Sequence, residues 1–339
     1  MTVLKTSTGY EAIRAEMARQ RADAYASFAA AQPLAAEIAD SIRRTGQLTL
    51  LGMGGSHWVN RTAAVLYRQA GLDVSAEVLS EVLFTPLPPR PRTVLLVSQS
   101  GGSGEIAPYL DRPVGADERF GLTLDADGPL ARRIPSLCGV GGPERAFAAT
   151  RSILVSLSLH LAVLRALGEL VDDAVTVLDN SAAPVPTEAA VAVLAGAETF
   201  VISGRAELQG VAESGALCIM ELARLPALAL EGGQLRHGPM EMLSGRVGVI
   251  LLRAAGPSAA LTPALAAACA SAGCPVVVFD VSGEPAIAHT TTLSFTPRQG
   301  MAAVFDVLPT LQETLVEIAA RTIFDVGQPV RSKKITRDL

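Results

Sequence analysis

The segment Ser98-Gln99-Ser100-Gly101-Gly102-Ser103-Gly104-Glu105 follows an apolar run, TVLLVS (93–98), and leads into a helical pattern. That placement makes it a candidate anion cradle. Gly101 and Gly102 let the backbone approach a ligand, a helix start presents unpaired N–H groups, and Ser98, Gln99, Ser100 and Ser103 add side-chain donors. A second turn, Gly52-Met53-Gly54-Gly55-Ser56-His57, also closes an apolar run and opens a helical pattern. It is not a dinucleotide fingerprint, because histidine stands at position 57 where the third glycine belongs, and no P-loop lysine is present. Two hydroxyl-bearing turns suit one phosphate and sugar hydroxyls better than a pyrophosphate. Ordinary turn chemistry is the alternative, since Ser and Gly recur wherever a chain reverses.

Groups able to move protons lie further along. Glu221 sits in AESGALCIMELARL, whose apolar residues would raise a carboxyl pKa toward the range of a general base. A surface glutamate paired at i,i+3 with Arg224 is the competing reading. His237, in RHGPM, adjoins the restricted backbone of Gly238 and Pro239, and histidine is a side chain suited to moving protons in catalysis. His160 lies in an apolar helical run and reads as a core residue, whereas His57 could line the second turn beside Ser56. Of 28 basic side chains only three are lysines, and two of these, Lys333 and Lys334, adjoin in the tail. An amine can attack a carbonyl and a guanidinium cannot, so lysine here has chemical meaning; a solvated basic tail is the alternative.

The elements that must position these groups alternate. Two helical segments over 9–45, interrupted at Pro33, precede strand-like LTLLGM (48–53) and a helix from Ser56. The unit recurs at TVLLVS and at GLTL (121–124), the latter with a short helix over 129–133, and a continuous helix is expected from 152 to 180. NSAAPVPTE (180–188) reads as a linker, with a boundary near Pro186. Beyond it come TFVISG with a helix from Glu207, VGVILLRAAG with a helix from Pro263, CPVVVFDVSG, and a closing helix over 304–324. The expected class is α/β: two tandem lobes, 1–185 and 186–339, each a parallel doubly wound sheet flanked by helices.

Composition narrows the partners. In 339 residues, 49% apolar and 18% charged, there is material for two cores. A net charge of -5 argues against a basic nucleic-acid surface and leaves a small molecule as the expected ligand. The four cysteines fit neither a disulfide framework nor a zinc site, which suggests a reducing, cytoplasmic setting. No leader pattern opens the chain, and the longest apolar stretch, 152–164, falls short of the roughly 20 residues needed to cross a bilayer, so no membrane partner is expected.

Taken together, GMGGS, SQSGGS, PERAFAATRS (143–152), LEGGQLRHGPMEML (230–243) and SKKIT (332–336) resemble, in order and across nearly the whole chain, the sugar isomerase (SIS) family. The likeness is greatest to the isomerase domain of glucosamine-6-phosphate synthase and to the stand-alone amino-sugar-phosphate deaminases and fructosamine-phosphate deglycases. The resemblance implies two SIS domains and a phosphosugar. It assigns the phosphate to Ser56, with Gly54 and Gly55 of its turn, and to Ser98, Gln99, Ser100 and Ser103, and it lines the sugar with Ala148, Ala149 and Thr150. Glu221 becomes the proton shuttle between C1 and C2. His237 becomes the ring-opening group, contributed across a homodimer interface. Lys333 aligns with an imine-forming or ring-opening lysine, and because the tail is one residue shorter, Lys334 can exchange roles with it. Glu144 matches the acidic residue of the stand-alone enzymes and would touch the substrate amine or a hydroxyl, a surface role being the alternative.

Departures from the family accompany the likeness: Cys218 stands in place of a lysine three residues before the glutamate, Arg151 replaces a lysine, and Gly102 replaces an acidic residue. The chain starts Met1-Thr2 rather than with the cysteine of a glutamine-hydrolysing domain, so ammonia delivery from glutamine is not expected. The resemblance therefore implies a phosphosugar isomerase/deaminase that converts an amino-sugar phosphate, such as glucosamine 6-phosphate, to a ketose phosphate plus ammonia. A fructosamine-phosphate deglycase and a non-catalytic phosphosugar sensor are the alternatives. Neither metal nor redox cofactor is expected, since side chains suffice for proton transfer alpha to a carbonyl.

Overall fold

The computed structural model describes residues 7–179 and 185–338, so 180–184 of the expected linker lie outside the described residues. The chain divides into two compact units. The first holds Ala15 to Asp179 together with the tail from Pro329; the second holds the described residues up to Arg14 and those from 185 to Gln328.

In the first unit, α1 (Thr8–Ala30) enters from residue 15 and α2 (Gln32–Thr45) follows it. Pro33 occupies the first turn of α2, where no backbone donor is needed, so the interruption read at this proline is a new helix start. Ala35, Ile38, Ala39 and Ile42 put the buried side of α2 on one face. Then come β1 (Gln47–Gly52), α3 (Gly55–Gln69), β2 (Asp73–Val78), α4 (Leu79–Phe84), β3 (Arg92–Val97), α5 (Ile106–Leu110), β4 (Asp117–Thr123), β5 (Ser136–Cys138), α6 (Arg151–Leu167) and α7 (Asp172–Asp179).

All strands of this sheet pair in parallel, in the order β2-β1-β3-β4-β5. β1 and β3 are buried at every position, as expected of central parallel strands covered on both faces. The winding reverses between these two neighbours, and an open α/β sheet has its ligand crevice outside the carboxyl ends of the strands at such a point. Helix α6, buried from Arg151 to Leu164, packs against α2 and α3.

Two sequence expectations fail here. The helix expected over 152–180 is two helices, because Gly168 (φ 107°) ends α6 in the left-handed region. Residues 129–133 form successive turns instead of a helix; the backbone there is bent back by the bond from Leu130 N–H to Gly101 O, 3.1 Å.

The second unit contains α8 (Glu188–Leu194), β6 (Thr199–Ser203), α9 (Glu207–Leu222), β7 (Ala227–Ala229), α10 (Gly232–Arg236), β8 (Val247–Ala254), α11 (Thr262–Ser271), β9 (Val276–Val281), β10 (Thr291–Ser294) and α12 (Gly300–Thr322). Its parallel sheet runs β10-β9-β8-β6-β7. Counted from the first strand of each unit, both sheets read second, first, third, fourth, fifth. Helix α12 begins at Gly300, a turn before the expected residue 304, and ends at Thr322. Among the described residues no helix is long and apolar enough to cross a membrane.

Candidate functional site

Gly52 pairs with Val97, so the chain leaves β1 and β3 side by side and both turns singled out above start at the switch point of the first sheet. In the turn after β1, Gly54 has φ 48° and ψ -126°, a conformation in which a side chain is strained. It lets the helix begin at once: His57 N–H donates to Gly54 O at 2.9 Å and Ser56 N–H to Met53 O at 3.0 Å. Gly55 lies against Ala149 and Ile153, which brings this turn to the 148–150 segment. Ala148 is buried and Ala149 half-buried there, while His57 is buried and packs edge-on against Trp58.

The turn after β3 is pinned at its base. Gln99 O accepts from Thr123 Oγ1 (3.2 Å) and Leu124 N–H (3.0 Å), and Gly101 N–H closes on Ser98 O at 3.1 Å. Gly102 N–H donates to Ser100 Oγ at 3.2 Å, and the hydroxyls of Ser98 and Ser103 are 3.3 Å apart. Three serine hydroxyls and the turn amides are thus gathered within one short loop. Helix α5 behind them has only 5 residues, so its dipole is small and an anion here would depend on these hydroxyls and amides. The longer helix dipole belongs to α3.

Glu144 lies beside this loop, its carbonyl 3.4 Å from Gln99 Nε2. Its carboxylate is fully buried and spoken for: it accepts from Thr150 N–H (2.9 Å), Thr150 Oγ1 (2.8 Å), Arg151 N–H (2.8 Å) and the hydroxyl of Ser152. It therefore caps the start of α6, satisfying donors that a helix end leaves unpaired. Lys334 Nζ approaches the same carboxylate at 3.5 Å, and Thr336 O accepts Gly104 N–H at 3.0 Å, which places the tail on the first unit. Lys333 is exposed.

In the second unit Glu221 is half-buried near the end of α9, one turn beyond buried Cys218. Burial, with the Glu221 charge adding to it, pushes the Cys218 thiol well above its ordinary range, so the residue standing in place of a lysine is a neutral apolar filler. Arg224, the i,i+3 partner considered for Glu221, donates to Asp325 (2.7 Å) and Gln328 O (3.1 Å). His237 is exposed at the end of α10. That short helix is capped by Glu231, whose Oε2 accepts from Gly233 N–H (2.7 Å) and Gln234 N–H (3.1 Å) and which is ion-paired to Arg205. Sequence reading missed Arg205 and Glu231, although a glutamate just before Gly-Gly is a usable cap signal.

The second sheet has its own switch point, between β6 and β8, but its turns are filled differently. Ala206 takes φ 50° and ψ -126°, the torsions of Gly54, without being glycine. Arg205 is held by Glu231, and buried Arg253, in β8, pairs with buried Asp280 at 2.9 Å while donating to Ala259 O and Pro285 O. Carboxylates of the protein already occupy the cations there. At the first unit's switch point, by contrast, the turn after β3 gathers the hydroxyls of Ser98, Ser100 and Ser103.

No protein-family model matches this sequence. Among curated proteins, the glutamine–fructose-6-phosphate aminotransferase (isomerizing) of Gluconobacter oxydans is 28% identical over 232 residues, 62% of this chain and 37% of that protein. Among solved structures, the C-terminal domain of glucosamine-fructose-6-phosphate aminotransferase from Francisella tularensis superposes with TM-score 0.80 at 17% identity, covering 93% of this chain and 97% of that one. Glucosamine-6-phosphate deaminase from Thermotoga maritima superposes with TM-score 0.70 at 17% identity, covering 93% and 99%. The chain matches well under two thirds of the aminotransferase's length and shares the α/β fold of these sugar-phosphate enzymes.

Proposed function

We propose that the protein is a phosphosugar isomerase/deaminase of two tandem SIS domains, acting on an amino-sugar phosphate such as glucosamine 6-phosphate. The observation that carries this reading is the pair of hydroxyl-bearing turns leaving β1 and β3 together, the second of them pinned at its base with three serine hydroxyls gathered in one short loop. Ser98, Ser100, Ser103 and Ser56, with Gln99 and the Gly54-Gly55 backbone, hold the phosphate. Ala148 and Ala149 line the sugar. Glu144 serves by fixing the start of α6 beside them.

Glu221 is the base. Moving a proton from C2 to C1 of the open-chain 2-amino aldehyde gives a 2-imine, and water then replaces nitrogen to leave ketose phosphate and ammonia. His237, supplied by the second copy in a homodimer, moves the ring-oxygen proton that opens the sugar. Lys333 offers the amine that can hold the carbonyl as an imine. Proton transfer and hydrolysis are redox-neutral, so side chains and water balance the reaction.

The reading predicts that Glu221→Gln binds glucosamine 6-phosphate within about threefold of the parent while ammonia release falls by roughly 100-fold or more. Calorimetry and an ammonia assay on the same preparations measure both. Undiminished turnover in that variant, or amine release from a fructosamine phosphate with none from glucosamine 6-phosphate, would contradict the assignment. The second outcome identifies a deglycase; binding with no turnover of either substrate by the parent protein identifies a sensor.

A further inference from the structure

Chain termini stay loose unless something ties them down, because every ordered residue costs backbone entropy. Among the described residues, two polar ties hold this tail to the first unit, and they fall on different parts of the candidate site. One is Lys334 Nζ at 3.5 Å from Glu144 Oε2, where the lysine side chain is 23% exposed and the glutamate 0%. The other is Gly104 N–H to Thr336 O at 3.0 Å, at the end of the 98–105 turn. Position 104 has no room for a side chain, since a Cβ there would lie 2.6 Å from Arg337 O. Bare backbone therefore meets bare backbone at one tie and a charge meets a buried carboxylate at the other.

The Lys334–Glu144 tie is the one less open to exchange with water. A peptide hydrogen bond at the rim of a loop exchanges readily for water, whereas Lys334 brings its charge to a carboxylate with no exposure to solvent, where attraction between opposite charges is less screened. Glu144 is also a rigid anchor, because four donors at the start of α6 already fix its carboxylate. Lys333, next in the chain and exposed, has no such anchor.

We infer that Lys334 is a positioning residue: through Glu144 it seats the tail on the phosphate turn, and it thereby leaves Lys333 as the amine available to a carbonyl. The division of labour between the two lysines rests on the function proposed above; the seat does not. A nitrogen held against a buried carboxylate is not presented to a carbonyl carbon, so the adjacent lysines are not interchangeable.

Amide hydrogen exchange at Gly104, measured without substrate, tests the seat. Lys334→Gln is expected to speed exchange of the Gly104 amide about tenfold, Lys334→Arg to restore most of the protection, and Lys333→Gln to leave it unchanged. With glucosamine 6-phosphate, Lys334→Gln should raise KM about tenfold with a much smaller fall in kcat, whereas Lys333→Gln should act mainly on kcat. An unchanged Gly104 amide in Lys334→Gln, or acceleration by Lys333→Gln instead, overturns the seat whatever the substrate. Faster exchange in a protein that turns over no amino-sugar phosphate upholds the seat and contradicts only the proposed function.

Discussion

Arg151→Ala is expected to destabilise the first unit by about 3–5 kcal/mol, the usual consequence of removing one partner from a buried charge network. The guanidinium is fully buried and reaches Glu16 (2.6 Å), Asp23 (3.1 Å), Gly142 O (2.8 Å) and Val140 O (3.4 Å). It therefore ties α1, which supplies both carboxylates, to the 140–152 segment that carries Glu144. Burial alone would push the Glu16 carboxyl up, but the Arg145 N–H and the Arg151 guanidinium outweigh it and hold it below the usual range. Deleting Arg151 leaves two carboxylates and two carbonyls short of donors. A lysine keeps the charge but cannot spread its donors over four acceptors, so Arg151→Lys should fall between alanine and the parent. The single tryptophan, Trp58, lies in α3 of the same unit and reports its urea unfolding. A midpoint shift worth less than about 1 kcal/mol in Arg151→Ala would contradict this account.

His160 gives the second large effect, through pH. Its ring is fully buried in α6, with Nδ1 3.2 Å from the Tyr67 hydroxyl, and burial pushes its pKa down to about 3. The unfolded chain takes up a proton below about pH 6.5 while the folded one does not, so between about 6.5 and 3 the unfolded state binds more protons. Stability is therefore complete above pH 6.5 and declines as pH falls through that window, by up to about 1.4 kcal/mol per pH unit. Glu16 acts in the same direction at lower pH, since a carboxyl held down in the folded state contributes stability above its unfolded value and loses it as acid reaches its folded value. His160→Asn retains a partner for Tyr67 and cannot titrate. Urea midpoints from pH 7 to 4.5 should show a shallower decline for the variant, and parallel declines would contradict a neutral buried His160.

The same contrast explains what could be read from residue order. β1 and β3 were legible because central parallel strands are nearly continuous apolar runs, as LTLLGM and TVLLVS are. β2 (DVSAEV), half exposed, and the three-residue β5 and β7 carry no such run and left no signal. Both turns at the switch point were legible because Ser and Gly there follow a strand and precede a helix. The cap formed by Glu144 was not, since it depends on α6 returning to a residue 6 to 8 positions earlier. Nor could order alone separate Lys333 from Lys334: adjacent and identical, they differ only in that one meets Glu144.

The central claim is that a monophosphate docks in the turns that leave β1 and β3. The most direct measurement is a crystal structure with glucosamine 6-phosphate or its ketose product bound. The account predicts phosphate oxygens about 2.5–3.2 Å from the Ser98, Ser100 and Ser103 hydroxyls and the neighbouring amides, with the sugar carbons directed toward Ala148 and Ala149. A phosphate bound at the second sheet, beside Arg205 or Arg253, with the Ser98–Ser103 turn holding no ligand, would contradict it.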